Sequence, residues 1–201
     1  MSSSGGVASG STGTTRRRLL AAGLLVMSAL PARAFELPEL MKLLAQRKSG
    51  EARFTEERFV TTLDNPLRSS GTLSFSAPDR FARHTLEPRA ESMEVQGNSL
   101  VLKRGGRTRQ LALDAIPELA ALVDALRGTL TGDATLLQKQ FRTKVGGSGA
   151  RWNLALTPVD ARMAAQIRTL EIVGQGPELR SIEMQLAGGD RSLMIIEPPT
   201  K

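Results

Sequence analysis

Residues 181–196 read SIEMQLAGGDRSLMII, in which two runs with apolar side chains at alternate positions flank a Gly-Gly-Asp turn. This pattern is typical of a β-hairpin with one buried face, because successive side chains of a strand point to opposite sides of the sheet. Ile182, Met184 and Leu186 share the apolar face. The chain has six Phe, one Trp and no Tyr, so few bulky rings are available to pack behind that face. The face is therefore either ordinary core or the wall of a space that holds an apolar guest.

Short alternating stretches of the same kind recur along the chain, separated by turn sequences such as Asn65-Pro66 and Gly105-Gly106. With the hairpin they predict about eleven antiparallel strands. One sheet of that size must curl, because strand twist accumulates across it. The predicted strands other than the hairpin lie at 52–62, 68–75, 80–86, 92–96, 99–103, 108–113, 141–145, 151–157 and 167–173.

Two amphipathic helices interrupt the strand pattern. ELPELMKLLAQRKSG has a proline near its start, leucines on one stripe and a stop at Gly50. IPELAALVDALRG has the same punctuation, with Gly128 at its end, and a shorter helical piece follows at 134–139. The sequence therefore predicts an α+β, mainly antiparallel fold, in which one curled sheet has an apolar inner face and helices cover it.

The first 34 residues have the order of an export signal: three arginines, the apolar stretch LLAAGLLVMSAL, and a small-x-small site before Phe35. The apolar stretch is shorter than the roughly 20 residues that cross a bilayer. TRRRLL also resembles a twin-arginine signal, which is the alternative to a plain basic leader. We expect a signal over residues 1–34 and one exported domain over residues 35–201. Without the leader's four arginines the net charge falls from +7 to +3, which weakens the case for nucleic-acid binding.

Groups for catalysis and metal binding are scarce. The chain has no cysteine, which excludes disulfides, thiolate metal sites and a lipobox-type lipid anchor, and its one histidine is His84. The glycine-flanked Ser148 lies in a GGSGA turn that lacks the strand-to-helix elbow of a hydrolase. Glu56 and Glu57 are adjacent on a strand and face opposite ways, so we interpret one as solvated and the other as a rim carboxylate. We therefore expect no enzyme activity, no metal and no cofactor.

Four basic residues surround the Gly105-Gly106 turn. They are either a patch for anionic headgroups or an acidic partner, or the solvated tip of a hairpin. The four are Lys103, Arg104, Arg107 and Arg109.

Several motifs in order resemble the outer-membrane lipoprotein carrier (LolA) family: ARFTEERF, GTLSFSAPDRFARHTLEP, MEVQGNSLVL and GARWNLALTP, at 52–59, 71–88, 93–102 and 149–158. The stretch from RAESMEVQGNSL to the second helix most resembles the branch called LolA-related. The resemblance implies an unclosed β-barrel of about eleven strands with helices as a lid. It also implies a monomeric, non-enzymatic periplasmic carrier that binds acyl chains of a lipidated cargo between an inner-membrane exporter and an outer-membrane acceptor.

Three alternatives stay open. The LolA-related branch suggests a carrier of a free lipid-like product, a polyene or a glycolipid, for a dedicated exporter. A secreted hydrolase that uses His84 is a different class, and a structural β-domain with a filled core is a third.

The resemblance and the strand alternation together assign lipid-binding side chains to the inner face of the sheet and to the second helix. Burial of hydrocarbon alone gives affinity, at about 0.8 kcal/mol per methylene group. The expected lipid-binding residues are Phe54, Leu73, Phe75, Phe81, Met93, Val95, Leu102, Leu119, Leu122, Val123, Leu126, Trp152, Leu154, Leu156, Leu170, Ile172, Ile182, Met184 and Leu186.

One family element departs from its usual form here. The Arg-Pro-x-x-Phe-x-Trp element of relatives aligns with APDRFAR, so the arginine that hydrogen-bonds the lid in relatives is Ala77 and the tryptophan is Arg83. We expect Arg83, on the strand face of Phe81, to reach carbonyl groups of the lid with its guanidinium. The alternative is that Arg83 lies at the open rim and meets water, since arginine is seldom buried unpaired.

Overall fold

The structure, a computed structural model, describes residues 35–198, and within them it forms one antiparallel sheet and four helices. In chain order the elements are α1 (Leu37–Leu44), β1 (Ser49–Phe59), β2 (Leu67–Ser76), β3 (Arg80–Glu87), β4 (Glu91–Gln96), β5 (Ser99–Arg104), β6 (Arg107–Ala112), a 3-10 turn (Leu113–Ala115), α2 (Pro117–Thr131), α3 (Ala134–Gln140), β7 (Phe141–Gly147), β8 (Trp152–Pro158), α4 (Ala161–Ala164), β9 (Ile167–Gln175), β10 (Glu178–Leu186) and β11 (Arg191–Glu197).

The eleven strands follow the order β6-β5-β4-β3-β2-β1-β11-β10-β9-β8-β7. Strands that are consecutive in the chain pair with each other, except β6 and β7, and β1 also pairs with β11, with Phe54 opposite Ile196. The two edge strands, β6 and β7, do not pair with each other, so the sheet is not closed into a barrel. The α+β prediction of one unclosed sheet of about eleven strands is confirmed.

The helices begin where the sequence punctuates them, but α1 ends at Leu44, before the predicted stop at Gly50, and α2 continues past the predicted stop at Gly128 to Thr131. α1 has a proline in its first turn, and the Glu39 carboxylate accepts a hydrogen bond from the backbone N–H of Glu36 at 3.1 Å. α2 starts at Pro117 and is capped by Gly132, whose positive φ of 74° allows the left-handed conformation of the cap. α4, which the sequence analysis does not predict, is a single turn whose first N–H groups bind the Asp160 carboxylate.

Two core clusters form on the inner face of the sheet, one towards each edge. Below β7–β10 the first cluster joins α1 and α3 to the strands, and it contains Leu40, Leu44, Leu137, Phe141, Trp152, Leu154, Leu156, Leu170 and Ile172. Below β3–β5 the second cluster joins α2 to the strands, and it contains Phe81, Val95, Leu100, Leu113 and Val123. The centre of the sheet, β1, β2 and β11, lies between the two.

Residues 1–34, where an export signal is predicted, lie outside the described residues, so the predicted division of the chain stays a prediction. In residues 35–198 no helix is long and apolar enough to cross a bilayer.

Candidate functional site

A cavity of about 220 Å³ lies between the centre of the sheet and α2. Leu126 and Leu130 of α2 cover it. Strands β1 to β4 and β10 to β11 supply a mainly apolar wall, of which the aliphatic, aromatic and methionine side chains are Ala52, Leu73, Phe75, Phe81, Ala82, Met93, Leu179, Ile182, Met194 and Ile196. Such a volume exceeds the roughly 150 Å³ that accepts benzene in an engineered apolar cavity. The site can therefore hold a small piece of hydrocarbon.

The structure brings some of the predicted lipid-binding residues to this cavity and leaves others in packed core. The residues that line it are Leu73, Phe75, Phe81, Met93, Leu126 and Ile182. Those in or against the first core cluster are Leu122, Trp152, Leu154, Leu156, Leu170, Ile172, Met184 and Leu186. Those in or against the second are Val95, Leu102, Leu119 and Val123, while Phe54 is buried in neither cluster. A lipid contact by any of these residues stays a prediction.

The cavity also has walls that sequence reasoning missed. Met194 lies directly across the hairpin from Ile182, and Ile196 lies across from Phe54. The alternation of apolar residues along β11, the second strand of the hairpin, was a sequence signal that could have identified both Met194 and Ile196. Arg47 and Arg180 line the same cavity, and no sequence pattern marks them.

A buried ion pair lies on the inner face beside the cavity. Nη2 of Arg83, a cavity-lining residue, donates to Oε2 of Glu56 at 2.5 Å, and the guanidinium carbon lies 4.4 Å from the centre of the Phe54 ring. The hydroxyl of Ser192 donates to Oε1 of Glu56 at 2.5 Å, and that of Ser69 donates to Oε2 at 3.2 Å. Both carboxylate oxygens thus have donors.

Burial by itself raises the pKa of Glu56, but the Ser192 hydrogen bond, the charge and donors of Arg83 and the Ser69 hydroxyl outweigh it and lower the pKa below the usual value. Glu56 is therefore an ionised, buried carboxylate at neutral pH. The side chain is only 10% exposed, which corrects its interpretation as a rim or solvated carboxylate.

Arg83 makes no hydrogen bond to a lid carbonyl among the described residues, so its lid contact stays a prediction; its side chain is 25% exposed and paired with Glu56, so it meets water without being unpaired at the rim. Its hydrogen bonds among the described residues go to Glu56, Ser69 and Thr85. The physical reason is that an ionised carboxylate two strands away on the same face binds a guanidinium more strongly than neutral carbonyl groups do.

Gly71 of β2 allows β2 and β3 to approach where the ladder shifts register, between Ser70 and Gly71. A Cβ at Gly71 would stand 1.9 Å from the carbonyl oxygen of His84. The bulge lies between the positions of Ser69 and Arg83 in the ladder of β2 and β3.

Neither His84 nor a cluster of metal-binding side chains lines the cavity among the described residues. His84 is exposed, and the described residues contain no group of three or more His, Cys, Asp or Glu side chains arranged to hold a metal. A larger depression of about 900 Å³ has Asp79, Arg80 and Glu94 in its lining, so it is poorly suited to shield hydrocarbon.

Residues 29–197 match the family described as "Outer membrane lipoprotein carrier protein LolA-like". The chain belongs to this family. No curated protein sequence matches it. Among solved structures it is similar to LolA superfamily protein NE2245 from Nitrosomonas europaea, with 8% identity, 84% of this chain and 96% of that chain covered, and a TM-score of 0.43. It is also similar to a DUF1329 family protein from Desulfovibrio piger, with 8% identity, 80% of this chain and 88% of that chain covered, and a TM-score of 0.43. A third similar structure is LprF from Mycobacterium bovis, with 10% identity, 82% of this chain and 94% of that chain covered, and a TM-score of 0.35.

Proposed function

We propose that this protein is a non-enzymatic periplasmic carrier that shields the acyl part of a lipidated cargo, such as a lipoprotein, between an inner-membrane exporter and an outer-membrane acceptor. The observation that carries the proposal is the apolar cavity of about 220 Å³ between the central strands and α2. Membership of the LolA-like family supports it.

The size of the cavity sets how much hydrocarbon it holds in this conformation. A methylene group occupies about the volume of a water molecule in the liquid, about 30 Å³. A cavity of about 220 Å³ therefore accepts several methylene groups at the end of a chain, and the burial of each is worth about 0.8 kcal/mol. The rest of a longer acyl chain must extend out of the cavity into solvent, or α2 must move away from the sheet to make room for it.

Hydrocarbon burial gives affinity without polar contacts, so binding is easy and release into water is unfavourable. Delivery then requires an apolar acceptor. Tight binding by the protein and release only to an apolar acceptor fit a carrier, since neither step requires a chemical reaction.

A free lipid-like product is the second candidate cargo, and the cavity volume favours it. A cargo with several acyl chains needs several times the space of one chain, whereas the end of a single chain fits the cavity without rearrangement. A polyene or a glycolipid that inserts a single tail meets this condition.

The proposal is tested by native mass spectrometry of the protein purified without detergent. We expect a bound acylated peptide or a free lipid, and the mass of the adduct distinguishes the two candidate cargoes. The matched variants are Ala52→Phe, which places a ring in the cavity, and Ala155→Phe, which places one on the opposite face of β8 from Leu154 and Leu156.

Ala52→Phe should lose the adduct and bind decanol at least tenfold more weakly, because the ring occupies the space of the tail. Ala155→Phe should bind as the unaltered protein does. Full binding by a folded Ala52→Phe variant would refute the cavity as the site, and a hydrolytic activity that disappears on replacing His84 would refute the non-enzymatic assignment.

A further inference from the structure

Two arginines and one glutamate form a cluster where the cavity meets solvent. Nη1 of Arg47 lies 3.6 Å from Oε1 of Glu178, and Nη2 of Arg180 lies 2.7 Å from Oε2 of the same carboxylate. All three residues line the cavity, and each side chain is about one third exposed. The cluster therefore forms part of the cavity mouth.

The position of Arg47 is fixed by its surroundings. Its Nε donates to the carbonyl oxygen of Ser49 at 3.2 Å. A Cβ at Gly50 would stand 2.6 Å from Nη2 of Arg47, so the guanidinium lies flat over the glycine. The absence of a side chain at Gly50 thus makes room for a cation at the mouth.

The cluster carries an excess of positive charge, since one carboxylate is shared by two guanidinium groups. Nε of Arg180 is buried and has no hydrogen-bond partner among the described residues. A buried donor without a partner is costly, so Glu178 does not satisfy the Arg180 guanidinium completely. The other cavity-lining acid, Glu51, is exposed and alternates with the inward Ala52, so it does not neutralise the cluster from within.

Arg83, the third arginine that lines the cavity, does not contribute to the excess positive charge. Arg83 has its own carboxylate, because Glu56 binds it at 2.5 Å and no other guanidinium within residues 35–198 shares Glu56. That pair is neutral as a whole. An incoming anion is therefore attracted to the Arg47 and Arg180 end of the cavity.

We propose that the mouth binds the anionic headgroup, a carboxylate or a phosphate, of a single-chain amphiphile whose tail occupies the cavity. The inference rests on the proposed carrier function and names the chemical class of its cargo. Guanidinium groups suit both headgroups because their N–H donors match two oxygens at once. Glu178 holds the two arginines in place when the site is empty, and it competes with the headgroup for them.

The test is isothermal titration calorimetry of the full mature chain at neutral pH and low salt, with decanoate, decanol and inorganic phosphate as ligands. Decanoate and decanol share a tail and differ in charge, and phosphate carries charge without a tail. We expect decanoate to bind about tenfold more tightly than decanol, the factor that corresponds to 1.4 kcal/mol. Phosphate alone should bind weakly or not at all, which distinguishes a lipid headgroup from a free anion.

The variants separate the roles of the charges. Arg47→Gln combined with Arg180→Gln should abolish the preference for decanoate and leave decanol binding unchanged. Glu178→Gln should strengthen decanoate binding several-fold, because the competing carboxylate is gone. Arg168→Gln, an exposed arginine of β9 that does not line the cavity, is the matched control and should bind as the unaltered protein does.

Equal affinity for decanoate and decanol in the unaltered protein would overturn the headgroup inference and leave the carrier proposal standing. Weaker decanoate binding by Glu178→Gln would also overturn it. Tight binding of phosphate without a tail would show a free-anion site instead. Failure of both decanoate and decanol to bind would overturn the carrier proposal itself, and the headgroup inference with it.

Discussion

Replacing Arg83 with leucine should turn Glu56 from a stabilising group into a destabilising one at neutral pH. In the native protein Arg83 supplies the opposite charge, and Ser69 and Ser192 supply hydroxyl donors. Without Arg83 the carboxylate stays buried, at 10% side-chain exposure, and the remaining donors are neutral. Breaking one partner of a buried ion pair leaves an uncompensated charge, which is more costly than replacing the whole pair.

The expected loss is about 3 kcal/mol in the free energy of unfolding at pH 7, the lower end of the range for a broken buried pair. The lower end applies because the Arg83 side chain is 25% exposed and its charge is partly screened by water. Urea unfolding followed by fluorescence of Trp152, whose indole is buried in the first core cluster, measures this quantity.

The pH dependence provides the more specific test. In the native protein the pKa of Glu56 is lowered, so its stabilising contribution is complete above the unfolded pKa, about 4.3, and is lost as the pH falls through the folded pKa. In Arg83→Leu burial dominates and the pKa of Glu56 should rise above the unfolded value. Its destabilising contribution is then relieved as the pH falls through that raised pKa. The stability gap between the two proteins should be largest at pH 7 and shrink towards about pH 4.

The control is the double variant Glu56→Gln with Arg83→Leu, which removes the uncompensated charge and retains a group that hydrogen-bonds Ser192. We expect it to recover most of the lost stability, with little pH dependence in the same range. A stability gap that is the same at pH 7 and pH 4, or a double variant as unstable as the single one, would refute this account of the pair.

Two further predictions compare matched positions. Gly71→Ala should lower the free energy of unfolding by about 3 kcal/mol or more, because its Cβ would meet the rigid His84 carbonyl at 1.9 Å. Gly188→Ala, with no atom within 4 Å of the added Cβ, should change that free energy by less than about 0.5 kcal/mol. Thermal unfolding measures both variants. Leu154→Ala, in fully packed core, should lower the free energy of unfolding by about 4 kcal/mol. Leu130→Ala, at the border of the cavity, should lower it by about 1 kcal/mol. Only Leu130→Ala should improve the binding of longer alcohols, because it enlarges the cavity.

The order of secondary structure elements is largely readable from the sequence. Strand alternation, the two proline-started helices and turn dipeptides locate all eleven strands and three of the four helices within the described residues. α4 escapes because it is one turn long and shows no apolar periodicity. The first helix ends at Leu44, earlier than the Gly50 stop suggests, because Ser49 and Gly50 already pair with β2.

The site is less predictable because alternation identifies a face and not the space behind it. Leu154 and Ile182 lie on the same inner face, yet one is packed core and the other borders the cavity. What separates them is where α1, α2 and α3 rest on the sheet, and a pattern with period two carries no information about that. The pair of Arg83 and Glu56 is missed for a related reason, since the two positions are neighbours only once β2 is placed between them.

Side-chain size nevertheless explains why the unfilled space lies at the centre of the sheet. The inner face of the central strands carries small residues at Ala52, Ser69, Gly71 and Ser192 among larger ones such as Phe54, Leu73 and Met194, whereas flanking strands present mostly large leucine, isoleucine and phenylalanine side chains. Helices that rest on the large side chains of both flanks cannot also descend to the small ones between them. Filling that gap by collapse would further desolvate the guanidinium of Arg83, which opposes collapse, whereas a hydrocarbon tail can lie beside it. The gap therefore follows from the distribution of side-chain volume and charge, and a guest with a flexible chain is suited to occupy it.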